Sequence, residues 1–262
     1  MFDIHTHILP AVDDGPRTLE EALQTVAALA QEGITDIVAT PHFNDRYPHV
    51  SAAEVQERVT ALQRVTRQAG IAARLWAGHE VHLDAGVEEA LSKGIAATIN
   101  DGPYVLLELP SSDFPVFLEG LIGRLRMKGF IPVIAHAERY RPTRRDPEVL
   151  APLVEAGALL QVTASSLVGL FGAQVQQTAE TLLRRNLAHV FASDVHAITD
   201  RPPHWASGLR RAEALIGRKR VWEMTVEVPE AIVRGAPVAV PPVLAPAATR
   251  THGFRIWGRQ IS

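Results

Sequence analysis

The sequence predicts an α/β protein whose parallel strands close into a seven-stranded β/α barrel. Three features carry that prediction. Short apolar runs alternate with longer helical segments along the chain, the helical segments bear recognisable start and stop signals, and His, Asp and Glu recur where the apolar runs end. The chain has 262 residues, enough for one barrel-sized domain with a substantial core.

Strands are expected near 2–4, 34–39, 73–78, 104–109, 131–135, 158–162 and 188–193. Each is short and rich in Val, Ile, Leu or Ala, as strands buried on both faces are. Between them, Thr18 to Glu21 and Ser51 to Glu54 read as capping boxes, and Gly33 and Gly70 stand where those helices should stop. A helix from Leu118 to Lys128 ends at Gly129. Another starts at Asp146 with Pro147 in its first turn and closes at Gly157, and one over 173–186 leads into the last strand. After about residue 225, Pro229, Pro237, Pro241, Pro242 and Pro246 break up any regular element. The chain therefore divides into a catalytic unit over 1–236 and a Pro-rich tail over 237–262, extended or disordered.

Composition excludes several functions. A formal net charge of −3 gives no basic field for nucleic acid. Cysteine is absent, which removes disulfides, thiolate metal sites and a cysteine nucleophile for phosphate esters. No apolar run is long enough to insert in a membrane, and the opening MFDIHTHILP lacks the basic and apolar regions of a signal peptide, so a cytoplasmic protein is expected. Oligomeric state is left open.

The strand ends carry the chemistry. His5 and His7 follow the first strand, His42 the second, Glu80 the third, Glu108 the fourth, His136 the fifth, and Asp194 and His196 the seventh; the sixth ends on Gln161, Thr163 and Ser165. In a closed barrel such ends converge on one mouth, whereas in an open sheet they spread along an edge, so the convergence favours the barrel. His5 and His7 are two apart, as are Asp194 and His196, and pairs so spaced on a strand point the same way. Imidazole and carboxylate without thiolate suit Mn²⁺, Fe²⁺ or Zn²⁺, and about eight donors exceed the four or so that one zinc-like ion takes. Two or three ions bridged by a carboxylate are expected, an arrangement suited to displacement at phosphorus. Buried charges this numerous are too costly to be scaffolding alone.

Arg139 and Arg201 belong to loops at the same mouth and match phosphate geometry; Arg141, Arg144 and Arg145 read as surface residues. Asp13 and Asp14 each read equally as a ligand, a partner behind an imidazole, or a turn residue. His49, His79, His82, His189, His204 and His252 read as surface or supporting residues. Arg46, Tyr47 and Pro48 lie in a loop that would cover the site and meet an aromatic substrate.

Six stretches carry a family resemblance: DIHTHILPAVDDGP at 3–16, ATPHF at 39–43, GHEVHL at 78–83, LLELP at 106–110, VIAHAERY at 133–140 and ASDVH at 192–196. The chain resembles the polymerase-and-histidinol-phosphatase (PHP) superfamily, and within it the CpsB/CapC-type tyrosine-protein phosphatases of bacterial capsule and exopolysaccharide operons. The resemblance implies a distorted seven-stranded barrel with three ions, usually manganese. It implies His5, His7, Glu80 and Asp194 around one ion, Glu80, Glu108 and His136 around a second, and Asp14, His42 and His196 around a third, with Arg139 and Arg201 on the phosphate. It also implies direct hydrolysis by a hydroxide activated at the metals, with no phospho-enzyme, on the phosphotyrosine-rich tail of a cognate membrane-associated tyrosine kinase. The rival readings are a small-molecule phosphatase, such as one acting on histidinol phosphate, a metal-dependent amidohydrolase or nuclease, and a non-catalytic metal-binding regulator. Glu108 and the terminal Asp194-His196 pair fit an amidohydrolase poorly, and the intact donor set argues against a regulator.

Overall fold

The computed structural model describes residues 1–47, 50–199 and 202–244. Among the described residues, nine parallel strands form two sheets. The first has the order β1 (Phe2–Thr6), β2 (Asp36–Ala39), β4 (Arg74–Ala77). The second runs β3 (His42–Phe43), β5 (Glu80–His82), β6 (Tyr104–Glu108), β7 (Ile131–Ile134), β8 (Leu159–Thr163), β9 (Val190–Ala192). A strand lies in each of the seven expected places, and β3 and β5 are additional. They continue β2 and β4 after two-residue breaks at Thr40-Pro41 and Gly78-His79. Pro41 has no N–H to give a ladder. A Cβ on Gly78 would stand 3.3 Å from Val38 Cγ1, so the chain passes closest there with no side chain.

The two sheets join where the first and last strands meet. His7 N–H donates to the Val195 carbonyl (2.8 Å), and Asp194 N–H donates to the His5 carbonyl (3.0 Å). Beside them Asp3, fully buried, accepts the backbone N–H groups of His5 (3.2 Å) and Ser193 (3.1 Å), tying the first strand to the last.

Alternation along the strands sorts the core into two layers. Ile4, Val38, Leu106, Val133, Leu159 and Val190 form an inner cluster, while Ile37, Val105, Leu107, Ile134, Leu160 and Phe191 pack outward against the helices. The inner cluster also takes Val228, Ile232 and Val233 from a helix at Val228–Val233. This corrects the expectation that prolines end regular structure near 225. Pro229 sits in the first turn of that helix, where no N–H is needed. The helix is held by Asn100 Nδ2 donating to the Val233 carbonyl (2.9 Å) and Tyr104 OH donating to the Ala236 carbonyl (2.7 Å).

Two other local expectations need correction. The helix expected from Asp146 to Gly157 is a 3₁₀ turn (Pro147–Leu150) followed by one α turn (Ala151–Glu155), because Pro152 interrupts the ladder. Ser51 and Glu54 make a full capping box, but Thr18 and Glu21 make half of one: Glu21 accepts from Arg17 N–H instead (2.7 Å). Of the expected tail, residues 237–244 form no helix or strand and lie against the body, with Leu244 N–H donating to the Arg185 carbonyl (2.9 Å); 245–262 lie outside the described residues.

His189, expected as a supporting residue, replaces part of a strand pairing. Its backbone N–H donates to the Leu160 carbonyl (2.9 Å), and its ring Nδ1 accepts the Leu160 N–H (3.0 Å). Burial, with the charge of Arg220 second, pushes its pKa down to about 4. The unfolded chain therefore binds a proton at His189 below about pH 6.5 while the folded chain does not, so this contribution is full above that pH and is lost as pH falls toward 4. The loss approaches about 3 kcal/mol. Urea titrations at pH 7 and pH 4.5 should show a smaller acid-induced drop for His189→Gln than for the parent; equal drops would refute this role.

Candidate metal centre

The strand face that is apolar at one end of the molecule carries donor atoms at the other. Stepping by two, Val38 leads through Thr40 to His42, Trp76 through Gly78 to Glu80, Leu106 to Glu108, Leu159 to Gln161, and Val190 through Ala192 to Asp194. The parity is broken in two places. In β1 the register shifts between Asp3 and Thr6, which brings His5 to the inner side next to Ile4. After β7 the backbone of His136 turns left-handed at φ 32°, which swings its side chain inward. Asp194 is also left-handed, at φ 52°. Such conformations cost on the order of 1–2 kcal/mol each and persist only where surrounding contacts enforce them.

Glu80 lies at the centre and is 1% exposed. Its carboxylate faces His5 Nε2 (3.3 Å), His7 Nε2 (3.3 Å), His42 Nδ1 (3.0 Å) and His136 Nε2 (2.9 Å). Asp194 Oδ1 stands 3.4 Å from His5 Nε2 and 3.6 Å from His7 Nε2, and Glu108 Oε1 is 3.7 Å from His136 Nε2. Asp14 Oδ1 reaches His196 Nε2 (3.1 Å) and His42 Nε2 (3.5 Å). Three sets of donors have their atoms within 4.8 Å of one another: His5, His7, Glu80; His42, Glu80, Glu108; and His7, Asp14, His42, His196. The structure thus brings together every expected donor. Arg139 joins them, its Nη1 donating to Asp194 Oδ2 (2.6 Å), whereas Arg201 lies outside the described residues. Asp14, His42, Glu80, Glu108, His136, Arg139, Asp194 and His196 line a cavity of about 240 Å³ with Asn44, Arg46 and Tyr47. Tyr47 stacks on His42 with ring centres 5.3 Å apart.

The imidazoles are fixed from behind. Asp13 Oδ2 accepts from His7 Nδ1 (2.7 Å) and Gln161 Oε1 from His5 Nδ1 (3.0 Å), while the Asp194 carbonyl accepts from His196 Nδ1 (3.2 Å). Each acceptor keeps the proton on Nδ1 and turns a bare Nε2 lone pair toward the carboxylates. His5 Nε2 and His7 Nε2 then lie 3.3 Å apart with nothing to donate between them. Lone pairs converging on carboxylates require a cation or added protons, and this donor chemistry fits divalent metal ions.

The electrostatics agree. Burial alone would raise the pKa of Glu80, yet His5, His136 and His42 hold it well below the ordinary range. Burial likewise opposes, and Arg139 and His5 outweigh it, at Asp194; at Asp14 the opposing partners are His196 and His42. The histidines move the other way. Burial would lower His42, but Asp14 and Glu80 raise it to about 9, and Asp13 and Glu80 raise His7 well above its usual value.

Asp13 thus stands behind His7, and it also accepts the backbone N–H of His42 (3.0 Å) and Gly15 (2.9 Å). Gly15 is required where it is: a Cβ there would meet the His7 carbonyl oxygen at 2.5 Å. Residue types alone did not reveal Gln161, which holds His5 and accepts the His136 N–H (2.7 Å), nor Asp3. The available signal for Gln161 was its place at the strand end without a ligand type. His79 is buried, with Nδ1 accepting from Ala97 N–H (2.8 Å), and His82 Nδ1 lies 3.2 Å from Glu108 Oε2.

Parallel strands whose C-terminal ends gather imidazole and carboxylate donors around one polar cavity define a barrel-type protein with a candidate multi-metal centre. Residues 1–234 match the family model for capsular polysaccharide synthesis proteins CpsB/CapC, and the chain belongs to that family. It is 35% identical over 254 residues to the tyrosine-protein phosphatase YwqE of Bacillus subtilis, covering 97% of this chain and 100% of that protein. It is 28% identical over 238 residues to the tyrosine-protein phosphatase CpsB of Streptococcus pneumoniae, covering 89% and 98%. Crystallographic work on YwqE and CpsB, described as metal-dependent tyrosine phosphatases, supplies a chain that superposes with a TM-score of 0.90 at 35% identity, over 94% of this chain and 100% of that one. The phosphotriesterase homology protein of Escherichia coli shares the fold at TM-score 0.55 and 11% identity, over 87% and 96%.

Removing a supporting partner should weaken metal binding without unfolding the protein. Gln161→Ala and Asp13→Ala are each expected to lower Mn²⁺ affinity about 10- to 100-fold. Calorimetric titration of Mn²⁺ into chelator-stripped protein measures this, and affinities equal to the parent's would show that these side chains do not set the site.

Proposed function

We propose that this chain is a metal-dependent phosphatase that hydrolyses phosphotyrosine on protein. In this reading it works in the cytoplasm on the tail of a cognate tyrosine kinase controlling capsule or exopolysaccharide synthesis. The observation that carries it is the convergence of Arg139 with the His, Asp and Glu donors in one cavity. Membership of a family with relatives named as tyrosine-protein phosphatases supports the substrate class.

In this reading His5, His7, Glu80 and Asp194 hold one ion, Glu80, Glu108 and His136 a second, and Asp14, His42 and His196 a third. Mn²⁺ is the first choice, with Fe²⁺ and Zn²⁺ suited to the same donors. Such ions, when bound, make water acidic enough to attack at neutral pH and neutralise phosphoryl oxygens. The chain's own residues do the rest. Asp13 and Gln161 keep the imidazole lone pairs aimed inward. Asp194 anchors one edge of Arg139, whose remaining N–H groups serve the phosphoryl oxygens, and Arg201 adds a second guanidinium. A phenol with pKa about 10 leaves more readily than an aliphatic alcohol, so aryl phosphates demand little acid assistance.

The same reading extends to the architecture. β2 with β3, and β4 with β5, count as two interrupted staves, giving a distorted seven-stranded barrel of the PHP type; the unbroken parity through Thr40 and Gly78 supports this. Residues 1–236 form the catalytic unit and 237–262 an appended tail.

The test is phosphate release by chelator-treated protein restored with Mn²⁺, using a phosphotyrosine peptide beside histidinol phosphate. Preference for the peptide is expected, with activity lost in His136→Ala and reduced about 100-fold or more in Arg139→Ala. Preference for histidinol phosphate would move the protein to small-molecule metabolism, and release from neither would end the phosphatase reading.

A further inference from the structure

We propose that Tyr47 receives the aryl ring of the substrate and so makes the protein select aryl over alkyl phosphates when it binds them. This rests on the phosphatase reading and deepens it to a specificity-determining residue.

A phosphate ester brings two unlike parts to the cavity. Its phosphoryl oxygens are served by Arg139 and the donor cluster beside it. The ring of an aryl ester begins one oxygen atom from phosphorus, so it lies against the wall of the same cavity and gains from hydrocarbon surface there. Among the described lining residues, every side chain other than Tyr47 ends in a carboxylate, an imidazole, a guanidinium or an amide. The imidazoles are already committed: His42 and His136 face Glu80, and His196 faces Asp14. The Tyr47 ring is the wall that remains for an aromatic group.

The loop holds that ring in place. Asn44 Oδ1 accepts the backbone N–H groups of Arg46 (2.9 Å) and Tyr47 (3.3 Å), closing a turn directly after β3. The Tyr47 ring then lies on His42 with 7° between their planes, and His42 is paired in the sheet opposite Glu80. The Arg46 guanidinium lies over the ring, 5.3 Å from its centre. The rest of the ring, partly exposed, borders the cavity. Offset or edge-to-face contact between rings stabilises beyond the area it covers, and a ring already held loses little freedom when a ligand arrives. A Tyr47 that merely propped His42 would serve every phosphate ester alike, whereas an aryl wall serves aromatic ones.

Phenols leave readily, so hydrolysis rates alone favour aryl esters whatever Tyr47 does. The test therefore uses phosphonates, which have no leaving group. Phenylphosphonate and methylphosphonate are titrated calorimetrically into the Mn²⁺-loaded parent, Tyr47→Phe and Tyr47→Ala, with circular dichroism and melting to establish that the variants are folded. The parent is expected to bind phenylphosphonate about three- to tenfold more tightly than methylphosphonate. Tyr47→Phe should keep most of that ratio and Tyr47→Ala should bring it close to one. Equal affinities in the parent, or a ratio lost in Tyr47→Phe, would overturn the proposal. So would a ratio that survives in Tyr47→Ala while both phosphonates weaken together, the result expected of a prop for His42. Binding of neither phosphonate would overturn it as well, and p-nitrophenyl phosphate hydrolysis by the same protein then decides whether the phosphatase reading stands without it.

Discussion

The structure depends on one buried carboxylate. Glu80 has four imidazoles facing it at 2.9–3.3 Å and almost no contact with solvent. An isolated charge in that position is prohibitively costly, so its surroundings must supply positive charge. Each surrounding feature answers this need. The histidines hold lone pairs inward to receive a cation or protons, Arg139 compensates Asp194 next to it, and the strands are placed so that donors far apart in the chain meet around the same carboxylate.

Strand geometry accounts for most of this placement. A period of two puts apolar residues and donors on one face, separated only by height along the strand. Where the period fails, the chain is locally irregular: the register shift in β1 and the left-handed backbone at His136. These irregularities fall at donor residues, as expected when a site demands a direction that regular structure does not offer.

The donors were legible in the sequence because His, Asp and Glu rarely follow apolar strands so regularly. The alternation of strands and helices was legible for the same reason: each element carries its own punctuation. What stayed hidden has a common character. Gln161 and Asp3 act through hydrogen bonds to partners far along the chain, and nothing in their neighbours marks them. The split of the helix at Pro152, and the helix beginning at Val228, turn on whether a proline lands in a first turn or after it. Local pattern places that boundary only to within a residue or two. Residue types alone left Asp13 and Asp14 alike; the turn made possible by Gly15 separates them, Asp13 behind His7 and Asp14 beside His42 and His196.

The tie between Asp3 and Ser193, 190 residues apart, sets an order of events during synthesis. A ribosome delivers His5 and His7 long before their carboxylate neighbour Asp194, and the helix that fills the interior later still. Contacts of such long sequence separation form late and slowly. A chain stopped short of Asp194 therefore carries only part of the donor set, and the contact of the first strand with the last is what completes it.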